Sequence, residues 1–226
     1  MRTLRKTGWV AIAHGPVARA LSALALSWTL GACSIVLAVP PTISERVSDK
    51  FTPAHLVYCY GHSCARQQTV SFRPADWESV RAVFATAPND AKDEQARIKV
   101  AIGLMEKFAG AQAGTSKDRG GTIEFGYDTG DPQLDCYDDA INVTNFLGLL
   151  ERDGLLRYHR VESPVQRSFV NGDIIHATGV VRDITSGRRY AVDSSYFDNG
   201  KPASIVSLDA WLDGWSPPEL NAVAIN

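Results

Sequence analysis

Between Pro74 and Arg152 apolar residues return three times at the three-to-four spacing of one helix face; beyond Gly154 that period gives way to runs rich in β-branched and aromatic residues. Trp77, Val80, Val83 and Phe84 follow Pro74, a residue pre-shaped for a first helical turn, and predict a helix over 74–84. From Asp90 to Ala109, Ile98, Ala101, Ile102, Met105 and Phe108 share one face, while Lys92, Asp93, Glu94, Arg97 and Lys107 lie mostly away from it. This predicts a long amphipathic helix. A third stripe, Cys136, Ala140, Val143, Leu147 and Leu150, predicts a helix that stops at Asp153-Gly154, where glycine can take the left-handed conformation that closes a helix.

Leu155 to Val161, Ile174 to Asp183 and Arg189 to Ser194 read as strands, with Thr185-Ser186-Gly187 as a hairpin turn between the last two. Asp198-Asn199-Gly200 makes another turn, and a short helix containing Trp211 closes the chain. Helices first and antiparallel strands later define an α+β class. Lys117 to Gly130 is a Gly- and Asp-rich loop around a short strand, Thr122 to Tyr127, and it delivers the chain to Cys136. Within it, Asp118-Arg119-Gly120-Gly121 reads as turn chemistry before it reads as a lining of any site.

With 226 residues, 45% of them apolar, the chain can bury one sizeable core, and the reading is one domain over 54–226 behind an N-terminal appendage. Arg2, Arg5, Lys6 and Arg19 precede an apolar stretch from Ala20 to Ala32, the pattern of an export leader over 1–32. Leu30-Gly31-Ala32-Cys33 resembles a bacterial lipobox, which implies cleavage before Cys33, acylation of that cysteine and membrane attachment through its lipid, with 33–53 as the tether. His14, Gly15 and Pro16 interrupt the leader, and the apolar run continues to Val39, so an uncleaved anchor or free secretion stays open. Each alternative puts the domain outside the cytosol, on the periplasmic side of the envelope. Loss of the leader takes four basic residues and leaves 19 against 25 acidic, a net charge of −6. No basic footprint for nucleic acid remains.

Cys136 stands at the start of its helix, where the positive end of the macrodipole and the unpaired N–H groups favour a thiolate and can stabilise an oxyanion. Asp135, Asp138 and Asp139 act in the opposite sense. A nucleophilic thiol needs a base, and the base needs a group to orient its ring. His176 and Asp193, on predicted neighbouring strands, can supply both, although strand alternation leaves the exposure of Asp193 open. Asp135-Cys136-Tyr137-Asp138-Asp139-Ala140, then His176-Ala177, then Tyr190-Ala191-Val192-Asp193-Ser194 resembles the transglutaminase-like superfamily, including bacterial transglutaminase-like cysteine proteinases. The resemblance spans roughly Gln133 to Tyr196. It implies a papain-like core with the cysteine helix packed on an antiparallel sheet, Cys136 as nucleophile, His176 as base and Asp193 as orienting carboxylate. The implied activity is that of a thiol hydrolase or acyltransferase on a peptide-type amide of a protein or of peptidoglycan. The alternative is a non-catalytic envelope lipoprotein that binds peptide or glycan in the same cleft.

Cys59 and Cys64 flank Tyr60-Gly61-His62-Ser63, and in an oxidising compartment this reads as a local disulfide; His55 and His62 make zinc the alternative. Gln133 is the nearest candidate for a second oxyanion donor, His159 reads as an exposed strand residue, and Trp211 and Trp215 either close the domain or offer a stacking wall. The chain has no Gly-x-Ser-x-Gly elbow, His-Glu-x-x-His pair or phosphate-binding glycine loop, so no cofactor is implied.

Overall fold

The structure is a computed structural model that describes residues 51–121, 132–167 and 175–218. The leader, Cys33, most of the expected tether and the Thr122 to Tyr127 strand lie outside the described residues. A hairpin, β1 (Leu56–Tyr60) and β2 (Arg66–Val70), comes first, followed by the helices α1 (Pro74–Ala82), α2 (Ala91–Ala113) and α3 (Cys136–Arg152). β3 (His159–Arg167), β4 (His176–Asp183), β5 (Arg189–Asp193) and β6 (Ser204–Ser207) then form an antiparallel sheet in that order, and α4 (Leu208–Leu212) ends the described chain. The class is α+β. Among the described residues no helix is long and apolar enough to cross a membrane.

Each predicted helix forms, although α1 stops at Ala82 rather than Phe84 and α2 runs past Ala109 to Ala113. Asp90 caps α2 by accepting from Asp93 N, and Gly114 closes it at φ 80°. Asp135 caps α3 and Asp138 reaches back to its backbone N–H, a reciprocal box. Period-two alternation splits the four-stranded sheet between two helices. Val181 and Val192 face the large core with Val143, Phe146 and Leu147 of α3, whereas Val180 and Ala191 face Trp211 and Leu208 of α4. Phe51, within the segment expected as tether, is buried, its ring under the Arg152 guanidinium at 4.4 Å.

The first post-α3 strand starts later than predicted, at His159 rather than Leu155. Glu94 of α2 accepts from the backbone N–H groups of Arg157, Tyr158 and His159, and the ladder with β4 begins only at His159, opposite Asp183. The same carboxylate holds His159 Nδ1 at 2.9 Å, and both side chains are fully buried. The expectation that His159 is exposed is therefore corrected: its ring is a core group with a carboxylate partner.

Candidate active site

His176 opens β4 and Asp193 ends β5. The ladder pairs Gly179 with Val192 and Val180 with Ala191, so Asp193 sits on the same sheet face as His176, one diagonal step away. His176 Nε2 donates to Asp193 Oδ2 at 2.8 Å, with Asp193 only 2% exposed. Trp211 Nε1 donates to the same oxygen at 2.7 Å, while Ser195 donates to Oδ1 through its N–H at 3.2 Å and its hydroxyl at 2.8 Å. Four donors converge on an acceptor-only carboxylate, and this fixes the imidazole with its proton on Nε2. Nδ1 is then the nitrogen with a lone pair.

Cys136 approaches from α3. β5 pairs with β4 only as far as Gly179, so the backbone of residues 175–177 runs past β5 while His176 and Ala177 still pair with β3, and the thiol settles there. Its Sγ donates to the Ile175 carbonyl at 3.6 Å and accepts from the Ala177 N–H, so it touches the chain on both sides of His176. The ring itself stacks on Trp211 at 5.3 Å and meets Tyr196, tilted, at 5.1 Å. The Arg167 guanidinium lies over the Trp211 ring at 4.7 Å and donates to the carbonyls of Trp211 and Trp215.

The electrostatics run against the helix dipole. Burial, and after it the Asp135 charge, pushes the Cys136 thiol up to about 12, with Ala177 N–H opposing. The resting sulfur is therefore a thiol and depends on a base at the moment of attack. The capping box also occupies the N–H groups of Tyr137 and Asp138, which both donate to Asp135 Oδ1. These two N–H groups are thus taken from the oxyanion role expected of the helix start. Gln133 is committed elsewhere: its Oε1 accepts from Arg119 N and its Nε2 donates to the Lys117 carbonyl.

Cys59 and Cys64 form a disulfide, which removes both sulfurs from the zinc alternative. Cys136 is the free cysteine among the described residues. No group of three or more His, Cys, Asp or Glu among those residues is arranged to hold a metal ion. Asp118-Arg119-Gly120-Gly121 braces the turn that follows Asp193. Gly121 N donates to the Ser195 carbonyl at 2.8 Å, and a Cβ on Gly120 would meet the Phe197 nitrogen at 2.3 Å, so only glycine fits.

Trp211 is the group whose contribution the sequence did not disclose; nothing in its neighbours marks it as a partner of Asp193. Trp211→Phe keeps an aromatic ring on His176 and deletes the N–H to the buried carboxylate, so we expect a loss of about 2 kcal/mol in stability. Urea denaturation checks it, with the midpoint falling at an unchanged slope. Comparisons with protein-family models, curated proteins and solved structures give no match.

Proposed function

We infer that the protein is a thiol-dependent hydrolase or acyltransferase acting on a peptide-type amide in the bacterial envelope, on a transglutaminase-like, papain-like core. The observation that carries the reading is the His176 Nε2 to Asp193 hydrogen bond beside a thiol that touches Ile175 and Ala177. Cys136 Sγ attacks the amide carbon and forms the C–S bond as its proton passes to His176 Nδ1. That proton goes on to the amine as the C–N bond breaks, leaving a thioester that water or an amine then opens. Asp193 holds the ring in position and offsets the imidazolium charge. The export-type leader, the lipobox-like Cys33 and the Cys59–Cys64 disulfide support an oxidising envelope location.

The binding-module reading draws on one observation, the thiol held protonated by burial and Asp135. The two part on turnover. A panel of glutaminyl peptides and peptidoglycan stem peptides, each with and without a primary amine, is expected to release amine or exchange it in the wild-type protein and not in Cys136→Ala. Saturable binding with equal, zero turnover in both proteins rejects the enzyme.

A further inference from the structure

The Cys59–Cys64 disulfide belongs to the small buried cluster against which the candidate nucleophile packs. Its buried sulfurs pack with Ala140 and Ile141 of α3 and Ala177 of β4, and Cys136 and Tyr137 lie against the same cluster. The loop that it closes is unusual in its backbone: after Gly61, three non-glycine residues, His62, Ser63 and Cys64, take φ values of 70°, 54° and 57°. Left-handed conformations in successive side-chain-bearing residues persist only where the surroundings impose them. Here they point successive N–H groups at the start of α3. His62 N donates to Asp138 Oδ2 at 2.8 Å, Cys64 N to Asp138 Oδ1 at 2.6 Å, and Ser63 N to Asp135 Oδ2 at 2.9 Å. Gly61 N holds the Gln133 carbonyl, and Asn142 of α3 grips Cys59 through both its N–H and its carbonyl. Such a concave row of N–H groups is an anion cradle, and its anions are the two carboxylates flanking Cys136.

We propose that formation of the Cys59–Cys64 disulfide licenses the Cys136 site: the bond shapes the 61–64 loop, and the loop holds the Asp135 and Asp138 carboxylates and the start of α3 in their working positions. In the dithiol form the three left-handed residues relax, the N–H donors leave Asp135 and Asp138, and the start of α3 loses the hold that positions the thiol. The chain is then idle until it meets an oxidising compartment. The step is a two-electron exchange. The Cys59 and Cys64 thiols lose two protons and two electrons to the disulfide of a dithiol oxidase, which leaves as its dithiol, and the S–S bond forms between Cys59 and Cys64. Low exposure, 1% for Cys59 and 5% for Cys64, makes the product persistent, as suits activation on export.

The inference rests on Cys136 being the nucleophile, and the test separates the two claims. Alkylation of Cys136 by iodoacetamide is followed by peptide mass spectrometry in the oxidised full chain, in the same chain reduced with a phosphine, and in the Cys59→Ala/Cys64→Ala variant, with far-ultraviolet circular dichroism on each. The expected result is a rate at least about tenfold lower in the reduced chain and in the variant, unchanged dichroism, and recovery of the reduced chain on reoxidation. Rates within twofold across all three overturn the inference and leave the nucleophile reading standing. Loss of the dichroism on reduction also overturns it, because the bond then supports the whole domain. A rate in the oxidised chain that His176→Ala leaves unchanged rejects the nucleophile reading itself.

Discussion

His176→Ala slows alkylation of Cys136 by about 100-fold near neutral pH, the lower end of what a positioned general base contributes. The reason lies in the opposing forces on the sulfur. Burial and the Asp135 charge hold the thiol near 12, so little thiolate exists at rest, and the helix N-terminus alone does not reverse this. Whatever nucleophilicity the sulfur has must come from a group that accepts its proton during attack. Asp193 fixes His176 through Nε2 at 2.8 Å and leaves Nδ1 for that purpose. In the variant the rate should rise in proportion to hydroxide across the alkaline range, the signature of a lone thiol of high pKa. A variant rate within threefold of wild type means that the imidazole takes no proton from Cys136.

Stability falls as pH rises from about 5 to about 8, and the melting temperature drops by about 10 °C over that window. Four carboxyl groups near the site are buried close to one another, and the backbone N–H groups that meet Asp138 only partly offset its burial. Burial first, then the neighbouring carboxylates, pushes Glu106 up to about 8, Asp118 and Asp138 up to about 7, and Asp139 well above its usual range. For each, the folded state binds the proton more tightly than the unfolded chain does. The stabilisation is complete below the unfolded value near 4 and is lost as pH passes the folded value, at about 1.4 kcal/mol per unit of pH for one group. Asp76 beside Arg73 and Asp153 beside Arg81 are held low and stay ionised throughout the window, so they leave the slope alone. Glu106→Gln should flatten the curve. A melting temperature that rises from pH 5 to pH 8 shows these carboxyls ionised in the fold.

The sequence and the structure agree best where side-chain period is long. Three helices were legible because apolar stripes ran two or more turns, with Pro74 at one start and Gly154 just past one end, while the caps Asp90 and Asp135 emerged only in the structure. The hairpin β1–β2 and the edge strand β6 were not, since Arg66-Gln67-Gln68-Thr69-Val70 is mostly polar and Ser204–Ser207 is too short for a period to register. Tertiary contacts decided the rest. His159 reads as an exposed strand residue until Glu94 is placed beside it from 65 positions away. Asp193 was undecidable by alternation, and it is buried because Trp211 and His176 close over it. The helix-start position of Cys136, the neighbouring strands of His176 and Asp193 and the order of their motifs brought out that set, whereas the clasp on α3 depends on left-handed backbone that no residue type in His62-Ser63-Cys64 announces.

Capture of the acyl intermediate tests directly whether Cys136 is a nucleophile with His176 as its base. The oxidised full chain is mixed with an activated peptide ester, quenched in acid within the first turnover, and mapped by mass spectrometry. One added acyl group is expected, carried on Cys136, with little or none in His176→Ala at the same time. An unmodified Cys136, an acyl group on another residue, or equal labelling in His176→Ala contradicts it.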